Sequence, residues 1–453
     1  MDEKHGLLEG NDTRPPYEER RRRRGPSDLH IGLLFLIVCA AWFRWLSSGL
    51  SFTSESTLTA AEKVLVDNPL IDGHDDFLIL VRAIYGNRIY GDNFTAAFED
   101  GGFAGHVDLP RLKQGRVGGT FWSAWVPCPA DGFDFSDKNY APFVRATLEQ
   151  IDLFNRLSLK YPATFTLSRT AEEAESAFEN GKLISPLAIE GLHQIGNSLA
   201  TLRLYHQLGV RYATLTWNCH NNYADAALVS VDGKTVASKP YWGGVSKAGR
   251  ELILEMNRLG MMVDLSHVSV DVMRDVLGGS PEKGWNGSLA PPIFSHSSAK
   301  AICPHPRNVP DDILNLVKAR NAVVMVNFAP DFVSCKASNA SSGLPEFVED
   351  TNTLQHVVKH IMHIGELIGY EHVGIGTDYD GIPNTPRGLE DVSKFPDLVD
   401  ALLKKGVSEE DAGKVVGRNV LRVWHEVDKV AARLQKDMDP VEDDLQPSTP
   451  EGL

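Results

Sequence analysis

The chain has 453 residues, 42% of them hydrophobic, which is enough for one large domain or two small ones. Its formal net charge of −15 argues against a nucleic-acid partner. The charge is uneven, with a basic run near the N-terminus and an acidic C-terminal stretch, and both ends have the composition of disordered tails.

An arginine run and an apolar segment lie near the start of the chain. Arg20–Arg24 precede Ile31–Phe43, which carries no charge. A membrane span needs about 20 apolar residues. The segment Ile31–Phe52 reaches that length if Arg44 snorkels to the membrane interface.

These features predict a disordered basic cytosolic tail over residues 1–29 and a transmembrane signal-anchor helix over residues 30–53. A cleaved signal peptide is the alternative. The positive-inside rule then predicts a single-pass type II membrane protein, with the rest of the chain on the lumenal or extracellular side.

Four cysteines and three glycosylation sequons follow the apolar segment. An even number of cysteines fits two disulfides in an oxidising compartment, and the sequence alone leaves the three possible pairings open. The cysteines are Cys128, Cys219, Cys303 and Cys335. The sequons, which predict N-glycosylation, begin at Asn93, Asn286 and Asn339.

Short apolar runs alternate with longer amphipathic stretches in the central part of the chain. The runs predict strands at Pro69–Gly73, Gly119–Val126, Pro186–Glu190, Tyr212–Thr216, Met261–Leu265, Pro292–Ser295, Ala322–Asn327 and His372–Gly376. The stretches predict helices at Phe143–Leu159, Leu199–Leu208, Lys247–Leu259, Asp311–Lys318 and His356–Ile368, with terminal helices over Ser408–Leu434.

Apolar strands that alternate with helices indicate a parallel sheet covered on both faces. The eight units predict an α/β fold, a TIM (β/α)8 barrel over residues 54–435, followed by a disordered acidic tail over residues 436–453. A doubly wound open sheet is the structural alternative.

Polar side chains that can bind metals or move protons fall where these strands end. They are His74, Asp76, Glu190, His267, His296 and Asp378. Because the C-terminal ends of all the strands of a parallel barrel surround one mouth, we expect these residues to converge there.

Five of these residues form a ligand set suited to two zinc ions. His74 and Asp76 are two residues apart in extended backbone, so their side chains point to the same side and can bind one metal. His267 and His296 would bind the second metal, and Glu190 would bridge the two. Two metals about 3.5–4 Å apart can deprotonate a shared water, which predicts a metal-bridging hydroxide as nucleophile.

Four positions outside this ligand set can also be interpreted from the residue types alone. Asp378, at the end of the last strand, could carry a proton to a leaving amine, whereas Asp380 before Gly381 is typical of a turn. Arg307 could hold a substrate carboxylate with two hydrogen bonds. The second His-x-Asp element, which begins at His106, follows no apolar strand and is interpreted as a surface loop.

Ten segments resemble, in order and spacing, the membrane (renal-type) dipeptidases, a family of di-zinc metallopeptidases. The segments are IDGHDD, RVGGTFWSAWVPC, AIEG, QLGVRYATLTWNC, NRLGMMVDLSHVS, PPIFSHSS, PRNVPDDILNLVK, VVMVNF, HVGIGTDYDG and GLEDVSKFPDL. The resemblance covers the chain from about Asp67 to about Val427 and implies a TIM barrel of the metal-dependent hydrolase type.

The resemblance also implies an activity and roles for individual residues. The activity is hydrolysis of dipeptides, including those with a C-terminal D-residue and cysteinylglycine-type substrates. The implied zinc ligands are His74, Asp76, Glu190, His267 and His296, with Glu190 as the bridge. Asp378 falls on the catalytic acid/base that contacts the substrate amine, and Arg307 on the contact to the substrate carboxylate. The implied disulfides are Cys128–Cys219 and Cys303–Cys335.

Two positions depart from the family pattern. Trp217 replaces a histidine that binds substrate in the family, and an indole offers only one N–H donor in place of an imidazole. His220 is a candidate replacement for that substrate contact. Phe332 stands where mammalian members have a tyrosine, so a second polar contact to substrate is missing.

The sequence therefore predicts a zinc dipeptidase with a small dipeptide-like substrate. Two alternatives stay open, an amide or lactam hydrolase acting on another small substrate, which Trp217 favours, and a metal-stabilised binding ectodomain with low turnover. The oligomeric state is also open, with a homodimer as one option.

Overall fold

In the computed structural model, which describes residues 58–443, eight parallel strands close into a barrel. The strands are β1 (Leu70–Asp75), β2 (Val117–Ser123), β3 (Leu187–Glu190), β4 (Val210–Thr214), β5 (Met262–Asp264), β6 (Ile293–Phe294), β7 (Val323–Val326) and β8 (Val373–Ile375). Each strand pairs in parallel with the next, and β8 pairs with β1. The predicted barrel is confirmed, and the open-sheet alternative is wrong.

The eight predicted strands coincide in place with the eight barrel strands. Every residue of these strands is buried, because one face points into the barrel and the other packs against helices. Two glycines allow the ends of β1, β6 and β8 to approach closely. A Cβ atom at Gly73 or Gly376 would collide with the carbonyl oxygen of Ser295.

Helices surround the barrel, and most connect one strand to the next. The α-helices are Ala60–Asp67, Phe77–Tyr85, Asp92–Glu99, Leu109–Gln114, Asp137–Lys160, Ala171–Glu179, Leu199–Gln207, Lys247–Leu259, Val270–Gly278, Asp311–Ala319, Pro330–Val333, Leu354–Ile368, Phe395–Lys404, Glu409–Gly413 and Asn419–Asp437. Short 3-10 turns lie at Leu192–Ile195, Pro281–Lys283, Glu349–Thr351, Tyr370–His372 and Val392–Lys394, and a π-helical turn at Lys414–Arg418.

Minor strands lie outside the barrel. Phe165–Thr166 and Leu183–Ile184 extend the sheet beside β2. Two antiparallel hairpins, Leu228–Val231 with Lys234–Ala237 and Cys335–Lys336 with Glu346–Phe347, belong to the loops.

The C-terminal helices close the N-terminal end of the barrel. Gly417 lies so close to the carbonyl oxygen of Pro69, just before β1, that a Cβ atom could not fit there. Trp424 is fully buried and packs against Phe121 of β2, with ring centroids 5.5 Å apart. This end of the barrel is therefore filled by side chains, which leaves the opposite end for a site.

Residues 59–443 belong to one compact unit. The predicted acidic tail begins inside the helix Asn419–Asp437, and residues up to 443 pack against the domain. The Val441 N–H donates to Glu255 at 3.0 Å, and Asp443 accepts from the Leu199 N–H at 2.7 Å. The remainder of the predicted tail lies outside the described residues.

The prediction of a single-pass membrane protein is wrong. Among residues 58–443, no helix combines the length and the apolar character needed to cross a membrane. The helix Asp137–Lys160 has 24 residues but is amphipathic, with Leu153 buried and Arg145 on the exposed face. The predicted anchor over residues 30–53 and the predicted tail over residues 1–29 lie outside the described residues.

Candidate active site

A cavity of about 880 Å³ opens at the C-terminal ends of the barrel strands. Five of the residues that the sequence predicts for the site line this cavity, namely Asp76, Glu190, Trp217, His267 and Asp378. The two other predicted ligands, His74 and His296, are fully buried next to them. The structure thus brings together residues that are far apart in sequence, because the barrel collects the ends of its strands around one mouth.

His74, at the end of β1, is held so that one ring nitrogen faces the cavity. Its Nδ1 lies 2.6 Å from the hydroxyl of Tyr212. That hydroxyl donates its proton to the carbonyl oxygen of Gly73 at 3.0 Å, so it accepts from the His74 Nδ1–H. Nε2 is therefore the ring nitrogen of His74 that is left for a ligand, and this buried atom has no hydrogen-bond partner among the described residues.

His267 and His296 are oriented in the same way by other partners. His267 Nδ1 lies 3.0 Å from the amide oxygen of Asn218. His296 Nδ1 lies 2.8 Å from the Ser295 hydroxyl, which itself donates to Asp264 at 2.6 Å. Both rings thus use Nδ1–H as a donor, and their Nε2 atoms face each other at 3.0 Å. Metal-binding histidines are oriented by such partners on the second ring nitrogen.

Glu190, the last residue of β3, lies at the centre of the three histidines. Its Oε1 is 2.7 Å from His267 Nε2 and 3.3 Å from His296 Nε2, while its Oε2 is 3.6 Å from His74 Nε2. The Glu190 backbone N–H donates to Gln194 at 2.8 Å, which fixes the end of the strand. Each carboxylate oxygen therefore faces a different group of histidines, as a bridging ligand requires.

The second group of ligand atoms comes from His74, Asp76 and Asp378. His74 Nε2 is 3.3 Å from Asp76 Oδ2, and ligand atoms of the three residues lie within 4.8 Å of one another. Asp76 Oδ1 is buried without a hydrogen-bond partner in the described structure. Unpartnered buried nitrogen and oxygen atoms that converge in this way fit cations, because their burial is costly without a counter-charge.

Burial and neighbouring charges shift the pKa values of these groups. Burial by itself would raise the pKa of Glu190, but His74 and His267 outweigh this effect and hold that pKa well below its usual range. Burial, together with the positive charge of Arg307, lowers the pKa of His267 to about 3. Burial also raises the pKa of Asp378 to about 7. At neutral pH, Glu190 is thus ionised and His267 is neutral, the forms in which both bind metals.

Two of these residues have an uncommon backbone conformation. The φ angle is 65° at His267 and 67° at Asp378, in the left-handed region that non-glycine residues rarely adopt. Such strain is concentrated at functional positions, where the surrounding structure maintains it. The Asp378 carboxylate is held by Asn327, whose side-chain N–H donates to Oδ2 at 3.0 Å.

Arg307 is buried behind the cavity wall, and only 1% of its surface is exposed. Its hydrogen bonds to the Ser297 hydroxyl and the His296 carbonyl oxygen are long, at 3.5 Å each, and its Nε has no partner among the described residues. The ring of Phe332, which lines the cavity, lies 5.1 Å from the guanidinium group. Arg307 is thus a buried cation that forms no ion pair with a carboxylate of residues 58–443.

Trp217, which departs from the family pattern, and His220, the candidate replacement for its substrate contact, occupy different positions. Trp217 lines the cavity, with its ring centroid 6.2 Å from that of His267. His220 does not line the cavity. Its Nδ1 accepts from the Ala226 N–H at 3.2 Å and lies 3.2 Å from Asp225. The predicted contact between His220 and substrate therefore has no support in the structure.

His106, for which the sequence predicts a surface loop, lines the cavity instead. Its backbone N–H donates to Asp380 Oδ1, and the Asp380 N–H donates to its Nδ1 at 2.9 Å. Its ring stacks on Tyr379 with centroids 4.9 Å apart. The sequence pattern missed this position because the long-range pairing with Asp380 does not depend on a preceding strand.

The four cysteines form two disulfides, and the asparagines of the three sequons lie on the surface. Cys128 pairs with Cys219, and Cys303 with Cys335, as the resemblance implies. Asn93, Asn286 and Asn339 are exposed, so they are accessible, and their glycosylation stays a prediction.

The residues that orient the three histidines were not found from the sequence. Tyr212 lies inside β4, Asn218 in the loop after it, and Ser295 directly before His296. Their roles depend on which side chains the closed barrel brings together, and only the Ser295–His296 adjacency was visible as a local pattern.

Comparisons with known proteins agree with this geometry. The family model described as "Membrane dipeptidase (Peptidase family M19)" matches residues 58–438. The chain is 44% identical over 392 residues to "Dipeptidase aclJ" of Aspergillus oryzae, a match that covers 85% of this chain and 84% of that protein. It is 42% identical over 376 residues to "Dipeptidase tcpJ" of Claviceps purpurea, covering 83% of this chain and 81% of that protein.

The fold is also similar to a solved metallopeptidase structure. That protein, from Rhodobacter sphaeroides, was solved with a phosphinate mimic of the dipeptide L-Ala-D-Ala. The two chains are 26% identical with a TM-score of 0.65, and the match covers 80% of this chain and 99% of the other.

Proposed function

The chain belongs to the membrane dipeptidase family, peptidase family M19, and on this premise we propose that it is a zinc-dependent dipeptidase. Its membership makes it a peptide hydrolase of a metal-dependent family. We propose that its substrates include dipeptides with a C-terminal D-residue and cysteinylglycine-type dipeptides. The observation that carries the proposal is the convergence of three histidine Nε2 atoms on the carboxylate of Glu190.

The proposed metal ligands are those that the sequence suggests. His74 and Asp76 would hold one zinc ion, His267 and His296 a second, and Glu190 both. Nitrogen and carboxylate donors in this combination favour zinc. When bound, two such ions supply Lewis acidity for the scissile carbonyl and an activated water for attack on it.

Asp378 is the proposed acid/base residue. It lines the cavity beside His74 and Asp76, so a substrate amine near the ligand set is within its reach. Asn327 holds Oδ2, which leaves Oδ1 to accept a proton from the nucleophile and deliver it to the departing nitrogen. A protein that only binds its ligand has no need of such a group.

Arg307 is the proposed contact to the substrate carboxylate. A guanidinium group that is buried with long hydrogen bonds is stabilised by an anion that approaches it. Phe332 covers the guanidinium face, so the carboxylate would approach at the edge, where the N–H groups lie.

The relatives support the proposed substrate class. The Rhodobacter sphaeroides protein binds a mimic of a dipeptide whose second residue is D-Ala. The fungal relatives are named as dipeptidases. A substrate with a free amine, one peptide bond and a free carboxylate also fits a site that has Asp378 and Arg307 as proposed contacts.

The test is an activity panel on the full chain. Zinc-loaded protein is assayed on glycyl-D-alanine, L-alanyl-D-alanine and cysteinylglycine, and again after chelation and after zinc is restored. We expect hydrolysis that disappears with the chelator and returns with zinc. Glu190→Gln serves as an inactive reference that keeps the size of the side chain. If the zinc-loaded protein hydrolyses none of these dipeptides, the proposal is wrong.

A second candidate function is hydrolysis of another small amide or lactam. Trp217 favours this candidate, because the family has a substrate-binding histidine at this position. In this chain the position instead carries a large apolar ring beside His267. The same ligand set would serve it. A panel of lactams run beside the dipeptides separates the two functions.

A further inference from the structure

Two tryptophans form one wall of the cavity. Trp125 follows β2 and Trp217 follows β4, and both line the cavity. Their ring centroids lie 4.9 Å apart with an interplanar angle of 75°, an edge-to-face arrangement that aromatic pairs favour. We refer to these two residues as the tryptophan wall.

A disulfide holds the tryptophan wall in place. Cys128 lies just after Trp125 and Cys219 just after Trp217, and the two cysteines are bonded to each other. A backbone bridge between Trp217 and Cys219 further restrains the second segment. The two loops that carry the indoles are thus covalently joined, so their spacing is set before substrate binds, which lowers the entropy that binding would cost.

The tryptophan wall and Arg307 both adjoin the His267–His296 pair. Trp217 has its ring 6.2 Å from that of His267, and His267 faces His296 at 3.0 Å. The Arg307 guanidinium approaches the His296 carbonyl oxygen at 3.5 Å. The tryptophan wall and the cation proposed to hold the C-terminal carboxylate therefore adjoin the same pair of proposed ligands. Asp378, the proposed amine contact, belongs to the other ligand group, with His74 and Asp76.

We propose that Trp125 and Trp217 form a subsite for an aromatic side chain on the C-terminal residue of the dipeptide. The inference rests on the proposed dipeptidase function and names the class of substrate that the site prefers. Indole rings give a flat apolar surface on which a phenyl or indole group packs in offset or edge-to-face geometry.

The wall also disfavours anionic side chains. The negative face of an indole ring repels a carboxylate, and the ring excludes the water that would solvate that charge. A dipeptide with D-Glu at its C-terminus should therefore be a poorer substrate than one with D-Phe, although the two side chains differ little in length.

The experiment measures kcat/KM of the zinc-loaded full chain for glycyl-D-phenylalanine, glycyl-D-alanine, glycyl-D-glutamate and L-phenylalanyl-D-alanine. We expect glycyl-D-phenylalanine to exceed glycyl-D-alanine by about tenfold, mostly through a lower KM. L-phenylalanyl-D-alanine should show no comparable gain, because its aromatic group is on the N-terminal residue.

Substitutions of the two tryptophans test whether the tryptophan wall causes the preference for a C-terminal D-Phe. Trp217→Leu and Trp125→Leu should each bring the ratio of kcat/KM for glycyl-D-phenylalanine over glycyl-D-alanine close to one. Trp217→Phe keeps an aromatic ring, so it should keep most of the preference for glycyl-D-phenylalanine. Trp242→Leu is the matched control, since Trp242 is a partly exposed tryptophan that does not line the cavity. It should keep the ratio of the unmodified protein. Thermal melting of each variant checks that it is folded.

The possible results separate this inference from the proposed function. If no dipeptide is hydrolysed, the dipeptidase proposal fails. If dipeptides are hydrolysed with no preference for D-Phe, or with a preference that survives in both leucine variants, only the tryptophan subsite is overturned. A preference for the N-terminal aromatic group would also overturn it. Inhibition constants of phosphinate mimics that end in D-Phe or D-Ala give a second readout, and their ratio should change in the same variants.

Discussion

The Nε2 atoms of His267 and His296 face each other at 3.0 Å, although a different neighbour orients each ring. Asn218 engages Nδ1 of the first ring and Ser295 engages Nδ1 of the second. Two unprotonated nitrogens at this distance repel each other unless a proton or a cation lies beside them. The adjacent oxygen of Glu190 makes a shared cation the arrangement that satisfies all three groups.

Tyr212→Phe tests whether the partner of a histidine Nδ1 controls metal affinity. The substitution removes the hydroxyl that accepts from His74 and donates to the Gly73 carbonyl. We expect zinc affinity to fall by about 10–100-fold, because the His74 ring loses its orientation. Competition with a chelator of known affinity measures the change.

Tyr205→Phe is the matched control for this experiment. Tyr205 is also buried, and its hydroxyl donates to the Gln194 carbonyl at 2.9 Å, with no contact to a proposed ligand. Zinc affinity should be unchanged in this variant, even where its thermal stability falls as much. An equal loss of affinity in both variants would contradict the role of Tyr212.

Removal of the metal should destabilise the fold. Without cations, the carboxylates of Asp76 and Glu190 remain buried beside each other, and neither forms an ion pair with a lysine or arginine of the described chain. A ligand present at 1,000 times its dissociation constant stabilises a protein by about 4 kcal/mol. We therefore expect the calorimetric midpoint to fall by several degrees after chelation and to recover with zinc, but not with magnesium, which prefers oxygen ligands. An unchanged midpoint in protein shown by elemental analysis to be metal-free would contradict the site.

Asp378→Asn separates catalysis from metal binding. An amide of the same size cannot take up and release a proton, so kcat should fall by about 10²–10⁴-fold while the zinc content stays the same. Asp331→Asn is a suitable control, because Asp331 also lines the cavity but is exposed at its rim. That variant should keep nearly full activity. Retained turnover in Asp378→Asn would remove its assigned role.

A buried histidine away from the site predicts how stability depends on pH. His360 accepts from the Ala299 N–H at Nδ1 and donates to the Val333 carbonyl at 2.8 Å, so its neutral form is fully satisfied. Burial lowers the pKa of His360 to about 3. The ordinary value in an unfolded chain is about 6.5, so the unfolded state gains a proton first as the pH falls.

The resulting stability is present above about pH 6.5 and is lost progressively as the pH falls toward 3. In His360→Gln, which has no titrating ring, the slope of unfolding free energy against pH should be smaller by up to about 1.4 kcal/mol per pH unit between pH 6 and 4. Urea unfolding at a series of pH values measures both slopes. Since both proteins keep the same metal site, the difference isolates His360, and identical slopes would contradict the prediction.

Much of the fold followed from local sequence patterns. The apolar runs around Ile71, Ile189 and Val324 predicted barrel strands, because a strand covered on both faces must be apolar throughout. The predicted helix Lys247–Leu259 has the same bounds in the structure, where Ser246 caps its first turn and Gly260 ends it in the left-handed conformation. Local patterns did not predict the cellular location correctly. The type II membrane prediction depended on residues 30–53, which lie outside the described part of the chain.

The sequence by itself determined the barrel and the positions of the candidate ligands, because strand periodicity and the residues at strand ends are local properties of the chain. Only the tertiary structure decided which side chains meet: that Tyr212 and Ser295 orient His74 and His296, that His106 belongs to the cavity and His220 does not, and that Trp125 pairs with Trp217. Apart from the Ser295–His296 contact, these contacts join residues on different strands and loops. Their geometry depends on how strands align around the barrel and on disulfide links between loops, and neither is encoded in any short stretch of sequence.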